Sequence, residues 1–80
     1  LTEERRHQLV RQVRNEGEVA RISIRNARKW GLDELKRLLK EGLPEDTEEN
    51  AAENIQELVR DFTAKVEKAI TAKEKEVMTV

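Results

Sequence analysis

The sequence predicts an all-α fold. Its expected architecture is an antiparallel hairpin of two long helices, the larger part of a three-helix bundle that lacks its first helix. Three observations point there. Helix breakers are scarce: the 80 residues hold three glycines and one proline, and Gly42 and Pro44 sit almost together. On both sides of that pair, apolar residues recur in steps of three, four or seven to eight, and nothing alternates with period two over a useful length. The apolar positions also cover more of each helix than one seam between two helices can bury.

The first helix is expected over about residues 3–41. Thr2 followed by Glu3 and Glu4 suits its start, because a threonine side chain caps free N–H groups and carboxylates favour a helix N-terminus. Leu9, Val13, Ala20, Ile24, Ala27, Leu35 and Leu38 form one apolar stripe along it. Gly31 in mid-helix costs roughly 1 kcal/mol relative to alanine and allows a local kink. The stop falls at about residues 42–45. Gly42 fits a left-handed cap, and Pro44 cannot continue the helix behind it. The second helix is expected over about residues 46–78. Asp46 and Glu49 have capping-box spacing. Ala51, Ile55, Leu58, Phe62, Val66, Ala69 and Val77 repeat the apolar period, and Asp61 with Lys65 supplies an exposed i,i+4 charge pair. Each helix is roughly 50–58 Å long at about 1.5 Å per residue.

Val10, Leu32 and Leu39 lie off the main stripe of the first helix, as Val59 and Ile70 flank that of the second. This extra width asks for a third helix, supplied by missing chain, by self-association or by a partner. The chain begins at Leu1 without an initiator methionine, in keeping with processing or with a piece of a longer protein.

Composition narrows the classes. There is no cysteine, hence no disulfide framework and no thiolate ligand or nucleophile, which reads as an intracellular chain. No apolar run approaches the roughly 20 residues of a membrane span. A domain of this size buries only about 60–65% of its unfolded surface. With 41% of residues charged, that is a thin core.

The net charge of −1 hides a split. Residues 1–40 carry eleven Lys/Arg against six Asp/Glu, or +5, whereas residues 41–80 carry five against eleven, or −6. At about 100° per residue, Arg14, Arg21, Arg25 and Arg28 fall within roughly 60° of one another, with Arg11, Lys29 and Lys36 alongside. Their centre lies roughly 100° from the apolar stripe. Arginines in register suit phosphates along a nucleic acid backbone, since a guanidinium donates two parallel hydrogen bonds to phosphate. The competing reading is a solvated face whose charges pair with the acidic second helix. Trp30 and Phe62 are the only aromatics, and Phe62 lies on the apolar stripe, so base stacking is disfavoured. Docking on folded RNA by shape fits better.

No enzyme constellation is present, and neither a cofactor nor a small-molecule substrate is expected. His7 stands alone beside Arg5, Arg6 and Arg11, and the single serine, Ser23, has no histidine in helical reach. Glu45, Asp46, Glu48 and Glu49 lack the spacing of a calcium loop and serve the helix start. The three glycines form no phosphate loop.

Three stretches of the first helix then stand out: Leu1-Thr2-Glu3-Glu4-Arg5-Arg6, Val13-Arg14, and the run from Ala20-Arg21-Ile22-Ser23-Ile24-Arg25 to Asn26-Ala27-Arg28-Lys29. With the tail from Lys65 to Met78, they closely resemble bacterial ribosome recycling factor. The resemblance covers essentially the whole chain, with the turn from Gly42 to Glu49 matching loosely. It implies the second and third helices of a three-helix bundle, whose first helix and inserted β-rich domain lie elsewhere in the protein. It implies a translation factor that docks on large-subunit ribosomal RNA and works with elongation factor G to split post-termination ribosomes. The RNA contacts it implies are Arg25 and Arg28, with Arg21, Lys29 and Arg6 as neighbours; the arginine stripe adds Arg14. The cytoplasm of a bacterium is the implied location, with mitochondrion or chloroplast as the alternative. Trp30-Gly31 departs from the family pattern, and Trp30 fits packing against the absent helix better than RNA contact. The rival functional class is a generic helical-hairpin module for protein–protein interaction.

Overall fold

The computed structural model describes all 80 residues, Leu1–Val80. Two helices account for nearly all of it, α1 (Glu3–Lys40) and α2 (Glu45–Thr79), and there is no strand. They run antiparallel as a rod with Cα extents of 60 × 16 × 7 Å.

Local chemistry sets the ends. Thr2 is extended, and its hydroxyl accepts the Arg5 N–H at 3.0 Å, satisfying one of the free donors of the first turn. At the other end Gly42 adopts φ 108°. The Leu43 N–H then reaches the Leu38 carbonyl at 2.9 Å and the Gly42 N–H the Leu39 carbonyl at 3.1 Å. This pair of bonds is the Schellman closure, which needs a left-handed residue where glycine is least strained. The capping box expected at Asp46 and Glu49 does not form. α2 starts at Glu45 behind Pro44, whose φ of −57° and lack of an N–H suit a helix boundary. Asp46 therefore lies inside the first turn, where its carboxylate accepts the neighbouring Thr47 N–H at 3.0 Å. Glu45, Asp46 and Glu48 serve the helix dipole instead of a cap.

The contact between the helices centres on glycines. A Cβ at Gly17 would press into the Ile70 side chain, with Cγ1 at 2.9 Å, and one at Gly31 would meet Ile55 Cδ1 at 3.1 Å. The two isoleucines thus rest on the α1 backbone. Gly31 interrupts nothing, since α1 is one element through Lys40. Only Gly17 and Leu35 are buried, so the hairpin has almost no interior of its own.

The broad apolar stripe divides differently from the sequence expectation. Val10, Leu32, Leu39, Val59 and Ile70, placed off the stripe, are half-buried. Ala27, Leu58, Phe62 and Ala69, placed on it, are exposed. They help line an open apolar groove along one side of the hairpin. Leu9, Val13, Gly17 and Ala20 face Val66, Ala69, Ile70 and Val77 in one stretch. Ile24, Ala27, Trp30 and Gly31 face Ile55, Leu58, Val59 and Phe62 in the next. Trp30 is 70% exposed there and Phe62 52%, values unusual for large apolar groups in a finished core.

Candidate nucleic-acid interface

The arginine stripe of α1 lies roughly 100° around the helix from the groove-lining residues Leu9, Val13, Ala20, Ile24 and Ala27. The two features therefore occupy different edges of the hairpin. The structure sorts the six basic candidates into two groups.

Arg14, Arg21 and Arg6 are engaged within the chain. Arg14 Nε donates to Glu74 Oε1 at 3.1 Å. Arg21 meets Glu67 fork to fork, Nε to Oε1 at 2.6 Å and Nη2 to Oε2 at 3.0 Å, and also reaches Glu18 at 3.3 Å. The hydrogen bonds from Arg21 hold the Glu67 carboxyl below the usual carboxylate range, and Glu67 in turn raises Arg21 further. Arg6 lies at the open end of the hairpin. It donates to the Val80 carbonyl at 2.6 Å and reaches Glu3 at 3.4 Å, while its enclosed Nε has no partner. For Arg14 and Arg21, pairing with the acidic helix is thus realised.

Arg25, Arg28 and Lys29 differ. Arg25 has one contact within its own helix, to Glu18 at 3.3 Å. Arg28 and Lys29 are exposed and make neither an ion pair nor a side-chain hydrogen bond. The middle of α1 therefore presents guanidinium and ammonium groups whose donors are free for an outside anion. Trp30 follows Arg28 by two residues, about 200° around the helix, and belongs to the groove rather than to this edge.

The remaining polar groups do not converge. No cluster of three or more His, Cys, Asp or Glu side chains is placed to hold a metal. His7 is exposed, 4.0 Å from Glu3. The Ser23 hydroxyl donates to the Val19 carbonyl at 2.9 Å, an ordinary bond back along the helix. The expected Asp61–Lys65 pair is not made; Lys65 Nζ sits 5.2 Å from the centre of the Phe62 ring instead. No helix is long and apolar enough to cross a membrane.

Sequence reasoning weighed pairing of the arginines with the acidic second helix but did not name Glu67 and Glu74 as the partners. Their signal was present, since Arg14 and Arg21 stand seven residues apart and so do Glu67 and Glu74. What was missing was the register of one helix on the other.

Residues 1–78 match the family model described as "Ribosome recycling factor". The whole chain is 50% identical to a protein named "Ribosome-recycling factor" from Phocaeicola vulgatus, covering 43% of that relative. It is 52% identical to the protein of that name from Cytophaga hutchinsonii and 48% identical to the one from Corynebacterium kroppenstedtii, covering 43% and 44% of them. The chain thus spans less than half the length of the curated relatives it matches. No solved structure matches it significantly.

Proposed function

The chain belongs to the ribosome recycling factor family, and from that membership we propose that it forms the RNA-docking part of a factor that recycles ribosomes. In this reading the hairpin lies on the large ribosomal subunit with its arginine edge against ribosomal RNA. The whole factor then helps elongation factor G split post-termination ribosomes into subunits, in the cytoplasm of a bacterium or in a mitochondrion or chloroplast.

One observation carries the RNA-docking reading: along the arginine edge, where Arg14 and Arg21 are tied to the acidic helix, Arg28 and Lys29 have no carboxylate partner. Arg25, with one long contact to Glu18, completes the site. Each guanidinium donates to a phosphate by two parallel bonds, and a 60 Å rod holds the backbone positions of the donors in fixed register, so the cost of binding falls on the side chains and little on the backbone. Arg21, Arg14 and Arg6 flank the site, and a phosphate reaching them competes with Glu67, Glu74 or the Val80 carbonyl.

The groove supports a second part of the reading. Its exposed Trp30, Leu58 and Phe62 take the N-terminal helix of the same protein, which closes the three-helix bundle. A generic interaction module would use that groove for another protein instead.

The test is cosedimentation with purified large ribosomal subunits over a salt series. RNA docking requires log affinity to fall with log salt by roughly 0.7–0.9 per phosphate contact. Arg25→Ala with Arg28→Ala is expected to abolish pelleting without loss of helicity. A double variant that pellets like the parent would refute this site. Nearly salt-insensitive association would favour the interaction module.

A further inference from the structure

Resting on the reading of the arginine edge as an RNA interface, we propose that Arg28 of α1 and Arg60 of α2 form a two-guanidinium clamp for a single RNA backbone phosphate.

The register of the hairpin carries this. Arg14 pairs with Glu74 and Arg21 with Glu67, so two consecutive rungs step seven residues along each helix, up α1 and down α2. Seven residues are about two turns and 10.5 Å. Carried one step further, the same spacing brings position 28 of α1 level with position 60 of α2. Gly17 on Ile70 and Gly31 on Ile55 bracket that rung, so the register is held on both sides of it. Where the first two rungs each join an arginine to a glutamate, the third holds arginine on both sides.

The charge at this rung is uncompensated. Neither Arg28 nor Arg60 makes an ion pair or side-chain hydrogen bond. Glu53 and Glu57 share a surface groove with Arg60, yet neither comes within ion-pair distance of it. On α1, Arg25 and Lys29 flank Arg28 and add to the positive field. Like charges level with one another across a helix pair repel, and an anion seated between them turns that repulsion into attraction. A backbone phosphate has the matching chemistry. Its two non-bridging oxygens share one negative charge and have lone pairs enough to accept from both guanidinium groups. Arg25 and Lys29, further along the same edge, are placed for a neighbouring phosphate of the same strand.

The experiment uses the 80-residue chain, purified bacterial large ribosomal subunits, and the variants R60Q, R60E and R28Q. Binding is measured over a salt series, and melting temperature is recorded for every variant. R60Q is expected to weaken binding roughly three- to tenfold and to lower the salt slope by up to about 0.7–0.9. R60E completes a third Arg–Glu rung, so it is expected to raise the melting temperature while weakening binding further, which separates lost docking from lost folding. Inorganic phosphate at millimolar levels is expected to leave binding unchanged, since the clamp takes a phosphate presented by an RNA strand; full competition by free phosphate overturns the RNA assignment. If R60Q binds like the parent while R28Q is weakened, the clamp is wrong and the RNA-docking reading stands. If R28Q also binds like the parent, the docking reading falls and the clamp with it.

Discussion

Arg21 on α1 and Glu67 on α2 meet in two parallel hydrogen bonds, at 2.6 and 3.0 Å, although both side chains are partly open to solvent. Isolated surface ion pairs contribute little, but a bidentate arginine–carboxylate pair with a second rung at Arg14–Glu74 has the geometry in which they do contribute. The ladder also fixes register. Ile70 on Gly17 and Ile55 on Gly31 support the same register from the apolar side.

A pH dependence follows. The Glu67 carboxyl is held below its ordinary value of 4.5 by Arg21. A depressed folded-state value means that the fork's stabilisation is complete above about pH 4.5 and is lost as pH falls through the lowered value. Melting curves of the parent and of Glu67→Gln, recorded by circular dichroism, are expected to separate near neutral pH and converge in strong acid. A gap that stays constant down to strong acid would show that ionisation of Glu67 contributes nothing.

The glycines of α1 predict opposite outcomes for the same substitution. At Gly17 an added methyl meets both Cδ1 and Cγ1 of Ile70, the latter at 2.9 Å. Ile70 is β-branched and nearly fixed at χ1 in a helix, so the helices must part. Overpacking of about 1–3 kcal/mol exceeds the gain of about 1 kcal/mol in helix propensity. At Gly31 only Ile55 Cδ1 is close, at 3.1 Å, and a terminal methyl yields by a few tenths of an ångström. Gly17→Ala is therefore expected to lower the denaturation midpoint, and Gly31→Ala to leave it unchanged or raise it.

Gly42 makes a third case. A Cβ there meets nothing within 4 Å, but φ is +108°. Gly42→Ala is expected to cost about 1–2 kcal/mol purely through backbone strain. Gly42→Asn should cost less, because asparagine visits the left-handed region more readily. Equal losses for the two would point to a different cause.

The two helices and the turn between them were legible because each signal is local: Thr2 before Glu3 and Glu4, Gly42 before Pro44, and the apolar period. What was not legible was which flank of a wide apolar stripe meets which neighbour. Leu58 and Phe62 read as seam, yet they line the open groove, while Ile70 read as flank, yet it packs on Gly17. Periodicity gives a direction around one helix and says nothing of its rotation against another. The arginine stripe was legible as a stripe for the same reason. Its division into paired Arg14 and Arg21 and unpaired Arg28 needed the register of α2.

The groove yields the last prediction. Trp30 is 70% exposed and stands among Ile24, Ala27, Ile55 and Phe62. A helix laid into that groove removes the indole from water. As the chain's only tryptophan, it reports the event directly. Titration with a peptide of the N-terminal helix of the same protein is expected to shift Trp30 emission to the blue and to raise the melting temperature as peptide concentration rises. Phe62→Ala enlarges the groove without touching the arginine edge, so it is expected to weaken the peptide while leaving ribosomal-subunit binding intact. A peptide that alters neither emission nor melting would mean that the groove takes another occupant. If Phe62→Ala instead weakened subunit binding as strongly as Arg25→Ala with Arg28→Ala, the groove and the arginine edge would have to act as one surface.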